Sequence, residues 1–129
     1  MAHILVVDDD PDLTAACEAV LKKAGHRTTQ AHAPDEAMEA LRRDPPDLLI
    51  LDIMMNEPDD GFRMARELRR EGFAKPILML TGIARVAGVP FGPDADVNPV
   101  DDYAEKPLPP AELIRKVNDL LRKKVKSPC

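Results

Sequence analysis

The sequence predicts an α/β fold in which one parallel sheet is covered by helices on both faces. Short apolar runs alternate along the chain with segments whose apolar residues recur at helical spacing. The runs at 3–7 and 48–51 show no polar alternation, as expected of strands that are buried on both faces. The 13 prolines fall almost entirely between these segments, where a missing N–H is tolerated. Strands that alternate with helices imply parallel pairing with right-handed crossovers.

Five strands are expected in this sheet. Residues 48–51 (LLIL) form the most apolar run, so we expect them at the centre. Residues 27–31 (RTTQA) are polar, which is typical of an edge strand. The other strands are predicted at 3–7, 77–80 and 101–105.

Four helices have clear limits in the sequence. The first begins at Pro11 and ends before Gly25, and its apolar stripe includes Cys17, which we interpret as a small core residue. The second is expected to end before Pro45-Pro46, and the third near Gly72. The last follows Pro109-Pro110 and contains apolar residues at helical spacing up to Leu121.

The segment 82–100 does not fit the alternating pattern. A further helix is expected between the last two strands, but glycines and prolines interrupt this stretch. An interior proline costs ~3 kcal/mol and a glycine ~1 kcal/mol in a helix. We therefore predict that this additional helix, which would be the fourth in chain order, is short or irregular and limited to 83–89.

Size and charge exclude several classes of protein. A chain of 129 residues has the size of one domain with one hydrophobic core, and we expect a single domain over 1–129 with no output domain. The formal charge of −5 gives no support for binding nucleic acid or a membrane surface. The N-terminus has no basic segment followed by an apolar stretch, and no run reaches the ~18 apolar residues of a membrane span. These features predict a cytoplasmic protein.

Polar residues follow four of the predicted strands at the point where each strand ends. Asp8–Asp10 follow the first strand and Asp52 the third, while Thr81 and Lys106 follow the last two. In an open parallel sheet, ligands bind beyond the carboxyl ends of the strands. Carboxylates, a hydroxyl and an ammonium group at one sheet edge suit one magnesium ion and one phosphoryl group.

Five motifs together resemble the receiver domain of two-component response regulators. They are VVDDDP at 6–11, PDLLILDIMM at 46–55, DGF at 60–62, PILMLTG at 76–82 and DDYAEKPL at 101–108. Each motif is weak alone, but all five occur in order and at nearly the family's spacing. The resemblance covers essentially the whole chain and implies the CheY-like, flavodoxin-like fold, a doubly wound sheet with strand order 2-1-3-4-5.

The resemblance also implies a phosphoacceptor and a metal site. Asp52 would accept the phosphoryl group from a histidine kinase or a histidine phosphotransfer protein. Asp9 would bind Mg²⁺ directly and Asp8 through water, with further oxygens from Asp52 and the Met54 carbonyl; Mn²⁺ could substitute. Repulsion between the attacking carboxylate and the phosphoryl oxygens is offset by the cation, so catalysis is mostly positioning and electrostatics.

Three further residues receive roles from the same resemblance. Thr81 would hydrogen-bond the phosphoryl group, Lys106 would pair with it, and Tyr103 matches the family's switch aromatic. Phosphorylation would then change binding to a downstream protein, and the sequence leaves open whether it also produces a homodimer.

Two segments depart from the family's pattern: Asn56 replaces a common proline in a loop one residue longer than usual, and 82–100 is poor in helix signal.

Two alternative functions compete with this interpretation. A binding module with the same fold would signal without phosphate, and the unusual 82–100 segment favours it slightly. A haloacid-dehalogenase-like phosphatase would use Asp10, Asp12 and Thr14, with Thr81, Lys106 and Asp101-Asp102 as later motifs. It leaves Asp52 unexplained, and Pro11 places Asp12 inside a helix. A purely structural reading of Asp8–Asp10 as a helix cap also stays open.

Overall fold

The computed structural model describes residues 2–52, 60–81, 100–105 and 108–126. In these ranges the elements alternate from β1 to α3, β4 and β5 follow, and α4 is last. The strands are β1 His3–Val7, β2 Arg27–Ala31, β3 Leu48–Asp52, β4 Ile77–Thr81 and β5 Asp102–Glu105. The helices are α1 Pro11–Lys23, α2 Pro34–Arg43, α3 Asp60–Arg70 and α4 Pro110–Lys126. The brief helix predicted at 83–89 lies outside the described residues.

The five strands form one parallel sheet in the order β2-β1-β3-β4-β5. The predicted order is therefore confirmed. The polar strand β2 lies at an edge and the apolar strand β3 at the centre, as their compositions predicted. All five residues of β3 are buried, which explains why this strand contains no exposed polar position.

The hydrophobic core lies in two layers, one on each face of the sheet. Helices α1 and α4 cover one layer, where Cys17 and Leu21 pack with Val117 against β1, β3 and β4. Helices α2 and α3 cover the other layer, to which they contribute Leu41 and Leu68. The predicted arrangement, a three-layer sandwich in which helices cover both faces of the sheet, is confirmed. The core position of Cys17, which is 7% exposed, is confirmed as well.

Two helices end at a glycine with positive φ. Gly25 follows α1 at φ 97° and Gly72 follows α3 at φ 100°. In α1, the Gly25 N–H donates to the Lys22 carbonyl and the His26 N–H to the Leu21 carbonyl, both at 3.0 Å. This is the paired hydrogen bonding of a Schellman motif, which favours glycine because an L side chain is strained at positive φ.

The starts of β4 and β5 are joined by one ion pair. Arg69, near the end of α3, donates to an oxygen of Asp101 at 2.8 Å, and the same oxygen accepts the Ile77 N–H at 2.8 Å. The other guanidinium nitrogen donates to the carbonyls of Phe73 and Lys75. The planar fork of arginine makes several such bonds from fixed positions, so Arg69 holds together the entries to both strands.

Edge strand β2 is joined to α1 by polar bonds to Glu18. Its carboxylate accepts from the Thr28 hydroxyl at 2.8 Å and the Gln30 amide at 2.6 Å, and Lys22 lies 3.6 Å away. The Thr28 hydrogen bond, opposed in part by desolvation and supported by Gln30 and Lys22, lowers the pKa of Glu18 below its ordinary value of 4.5.

The lowered pKa of Glu18 predicts a pH dependence of stability. A carboxyl group whose pKa is depressed in the folded state stabilises that state above its unfolded pKa, and this contribution is lost as pH falls through the folded pKa. We expect Glu18→Gln to lower the free energy of unfolding at pH 7 by about 1 kcal/mol. The difference from wild type should shrink below about pH 4.5. Urea titrations at pH 7, 4.5 and 3 measure it, and a pH-independent difference would contradict the assignment.

Among the described residues, no helix is both long enough and apolar enough to cross a membrane.

Candidate functional site

The carboxyl ends of β1 and β3 bring two aspartates side by side. Val7 at the end of β1 is paired with Leu51 of β3. Asp8 directly follows Val7 and Asp52 directly follows Leu51, so the register places both aspartates at the same sheet edge. Both are buried, with 1% exposure for Asp8 and 4% for Asp52. The prediction that the aspartates after these strands converge is thereby confirmed.

Asp9 completes a cluster of three carboxylates. Oxygens of Asp8, Asp9 and Asp52 all lie within 4.8 Å of one another, and Asp9 is the exposed member. Two unit charges at such a distance repel by roughly 3–4 kcal/mol at the effective dielectric constant of a protein surface. A divalent cation offsets this repulsion, and hard cations such as Mg²⁺ prefer carboxylate oxygens. The donor set therefore fits a magnesium ion that solvent reaches from the Asp9 side.

Asp10 lies with Asp8 and Asp9 in the loop between β1 and α1, which we call the acidic loop, but its side chain caps a helix. It is the N-cap of α1, and its carboxylate accepts the Asp12 N–H at 3.0 Å. The Asp10 N–H in turn donates to Asp8 Oδ1 at 3.0 Å, and the Asp8 N–H donates to the Ala31 carbonyl at 3.1 Å. The capping interpretation is thus correct for Asp10, while Asp8 and Asp9 join Asp52.

The other predicted site residues follow β4 and β5. Thr81 is the last residue of β4 and pairs with Glu105 of β5, one step beyond the pairing of Leu80 with Ala104. Asp52 pairs with Leu80, so the Thr81 backbone lies one residue beyond Asp52 toward the same edge. The structure describes the backbone of Thr81 only. Lys106, which follows Glu105 in the sequence, and Met54 lie outside the described residues.

Tyr103 lies on β5, in register with Met79. Its ring is half-buried and packs against the core layer covered by α2 and α3. This position is two residues before the end of the strand, close to the carboxyl edge. A half-buried aromatic ring near the site is compatible with the switch role that the resemblance implies.

Sequence reasoning missed the polar residues behind the acidic loop. Thr14 is fully buried, and its hydroxyl lies within hydrogen-bond distance of Pro11, Gln30 and His32. The sequence suggested Thr14 only as part of a DxDxT pattern. The one sequence feature that could have indicated a polar contact is the position of this threonine in the first turn of a helix. There a threonine hydroxyl reaches the carbonyl three residues earlier.

Comparison with known proteins identifies the family. The family model described as "Response regulator receiver domain" matches residues 4–118. The chain belongs to this family. The match covers most of the chain and includes every predicted site residue, so the resemblance found in the five motifs is confirmed.

Individual relatives agree with the family model. "Response regulator SaeR" of Staphylococcus aureus is 32% identical over 121 residues, which is 94% of this chain and 51% of the relative. This receiver domain therefore spans about half the length of the curated relatives it matches. The receiver domain of NtrX from Brucella abortus has a TM-score of 0.79 and 28% identity, with 92% of this chain and 98% of that chain covered.

A more distant structure supports the fold alone. The receiver domain protein described as CheY-like from Methanospirillum hungatei has a TM-score of 0.86 at 22% identity and covers 99% of both chains. Such agreement at low identity shows that the sheet order and helix placement are shared.

The receiver domain is a signalling domain rather than a classical enzyme.

The phosphatase alternative does not agree with the geometry of the described residues. Asp10 caps α1, and Asp12 lies inside α1 on an exposed position. Neither belongs to the group of acidic residues that lie within reach of a common metal ion, which is formed by Asp8, Asp9 and Asp52. Of the residues that a DxDxT motif requires, Asp10 caps α1, Thr14 is buried and Asp12 is exposed on α1, so they do not form one site.

Proposed function

We propose that this receiver domain accepts a phosphoryl group on Asp52, with Mg²⁺ bound by the adjacent carboxylates. The observation that carries the proposal is the cluster of Asp8, Asp9 and Asp52, whose oxygens lie within 4.8 Å of one another at the carboxyl end of the central strand. A buried carboxylate at this place is a nucleophile in a partly desolvated setting. Asp9 leaves the cluster open to solvent, which gives a phosphoryl donor access.

The chemistry follows from the charges. A carboxylate oxygen of Asp52 forms a bond to phosphorus while the bond from phosphorus to the donor's histidine nitrogen breaks. The electron pair of that bond stays with the imidazole, which then takes a proton. Bound Mg²⁺ would supply positive charge to the phosphoryl oxygens. Asp9 would hold the ion directly and Asp8 through water, with the Met54 carbonyl as a further ligand.

Other residues complete the proposed site. Thr81 would donate to one phosphoryl oxygen and Lys106 would pair with another, so that no phosphoryl charge lacks a partner. Thr81 is the last residue of β4, which pairs with β3, and Lys106 follows β5, which pairs with β4. Tyr103 would change its packing when Thr81 moves toward the phosphoryl group, which would transmit phosphorylation to a partner-binding surface.

The proposed partners are a sensor histidine kinase or a histidine phosphotransfer protein upstream and a protein target downstream, in the cytoplasm. The relatives named as response regulators support a place in such a system. Residues 1–129 would act as one receiver domain, and its target would recognise the phosphorylated form.

The test is phosphorylation by acetyl phosphate. Intact-mass spectrometry with Mg²⁺ should show one phosphoryl adduct on wild type, none on Asp52→Asn, and none on wild type with excess EDTA. Asp10→Asn is the matched control, because it changes the charge equally while asparagine keeps the cap, and it should be labelled like wild type. Labelling of Asp52→Asn at an N-terminal aspartate would overturn the assignment. Absence of any adduct under conditions where Mg²⁺ binds would favour a phosphate-independent module.

A further inference from the structure

A continuous set of polar side chains joins α1 to the edge strand β2. We call it the polar ladder, formed by Thr28, Glu18, Gln30, Thr14 and His32. Thr28 and Gln30 pair in register with Ile4 and Val6 of β1, whose side chains belong to the core layer under α1. On this face the sheet is thus apolar in β1 and polar in β2.

The directions of the hydrogen bonds in the ladder are determined by its acidic end. Gln30 Nε2 donates to Glu18 Oε1 at 2.6 Å, because a carboxylate accepts only, and this orients Gln30 Oε1 toward Thr14. The Thr14 hydroxyl donates to Gln30 Oε1 at 2.7 Å. A hydroxyl has one hydrogen, so the 3.0 Å contact between Thr14 Oγ1 and His32 Nε2 is a bond that His32 donates.

The ladder meets the acidic loop at Thr14. The Thr14 hydroxyl is 3.1 Å from the Pro11 carbonyl, and the Thr14 N–H donates to the Asp10 carbonyl at 3.2 Å. On the β2 side, Gln30 and His32 flank Ala31, whose carbonyl accepts the Asp8 N–H. Two links therefore hold the loop against the end of β2, one through the backbone at Ala31 and one through the Thr14 side chain.

We propose that Thr14 is a positioning residue for cation binding, because its hydroxyl holds the loop of Asp8–Asp10 against the end of β2. Thr14 does not touch the ion in this proposal. Residues that orient metal ligands typically change metal affinity by about 10- to 100-fold when they are replaced. The inference rests on the proposed function, since it requires that the cluster binds Mg²⁺.

The test compares three substitutions of two threonines in the same ladder. Thr14→Val removes the hydroxyl that binds Gln30 of β2 at 2.7 Å. Thr28→Val removes the hydroxyl at the far end of the ladder, which donates to Glu18 at 2.8 Å. Thr14→Ser keeps the hydroxyl. We expect the dissociation constant for Mg²⁺, measured by isothermal titration calorimetry, to rise about tenfold in Thr14→Val. Thr28→Val and Thr14→Ser should stay within about twofold of wild type.

The outcomes separate this inference from the proposed function. If wild type does not bind Mg²⁺, the proposed function fails and the inference with it. If wild type binds and Thr14→Val binds equally well, only the inference fails. Equal weakening by Thr14→Val and Thr28→Val would overturn it in favour of general loosening of β2. Weakening by Thr14→Ser to the level of Thr14→Val would also overturn the inference, because serine keeps the hydroxyl, and it would assign the effect to packing at this position.

A second variant covers the case in which Thr14→Val does not fold. Gln30→Met removes the acceptor of the Thr14 hydrogen bond and leaves Thr14 in place. Circular dichroism verifies the fold of each variant before titration. We expect weaker Mg²⁺ binding in Gln30→Met than in Thr28→Val, and equal affinity in these two variants would contradict the role of the Thr14 hydroxyl.

Discussion

Replacing Asp9 with asparagine is expected to weaken Mg²⁺ binding on the order of 100-fold. Asp9 is one of the three carboxylates whose oxygens lie within 4.8 Å of one another, so its charge acts on the ion at contact distance. A unit charge at about 4 Å contributes roughly 4 kcal/mol at an effective dielectric constant of 20, and hydration of the free ligand offsets part of this. A net loss of about 2.7 kcal/mol corresponds to 100-fold. Isothermal titration calorimetry measures the loss directly.

Asp10→Asn is the matched control for this prediction. Asp9 and Asp10 are adjacent and both exposed, and each substitution removes one negative charge. Asp10 caps α1 and lies outside the cluster, so its charge acts only at longer range and is screened by salt. We expect a change of no more than about threefold in Asp10→Asn. Equal losses in the two variants would show that the acidic loop attracts cations diffusely, without a defined ligand set.

Among the proposed substitutions, Ile50→Ala is expected to lower the free energy of unfolding the most. Ile50 is fully buried in β3 and is paired with Val6 on one side and Leu78 on the other. Leaving a cavity at such a position costs about 2–5 kcal/mol, a large part of the ~5–15 kcal/mol that stabilises a typical domain. The surrounding strands cannot collapse into the space, because neighbours hold β3 on both edges. Urea unfolding followed by circular dichroism measures the change.

The conservative substitution Ile50→Val is the control with which the loss of stability in Ile50→Ala is compared. It removes one methylene and should cost about 0.5–1.5 kcal/mol. Both variants should keep the slope of the unfolding transition, since the surface exposed on unfolding hardly changes. A loss for Ile50→Ala no greater than that for Ile50→Val would contradict the dense packing around the central strand.

The order of elements and the two-sided burial of the sheet were predictable from the sequence. The apolar run at 48–51 contains no polar position, and only a central strand with helices on both faces buries every residue in this way. Prolines and the glycines Gly25 and Gly72 marked helix ends, because their backbone preferences act locally. The meeting of the aspartates at strand ends was predictable for a different reason: parallel strands bring their carboxyl ends to one edge of the sheet.

The division of labour within the loop of Asp8–Asp10 was decided by the tertiary structure. The three residues are chemically identical, and the sequence left open whether they cap α1, although the resemblance assigned Asp8 and Asp9 to the ion. The 3.0 Å bond from the Asp10 N–H to Asp8 and the cap made by Asp10 assign the roles. Such bonds depend on the angle between β1 and α1, which no local pattern specifies.

By itself, the sequence determined the fold class, the edge and central strands and the receiver family, because periodicity, proline placement and five ordered motifs are local signals that agree with one another. The tertiary structure alone decided how close the predicted cluster is, with oxygens of Asp8, Asp9 and Asp52 within 4.8 Å of one another. It also decided that Thr14 reaches β2 through Gln30 at 2.7 Å. These contacts join residues distant in sequence, and their existence depends on strand register and helix packing. Distances of this kind follow from how the whole chain fills space, which is information that no single segment carries.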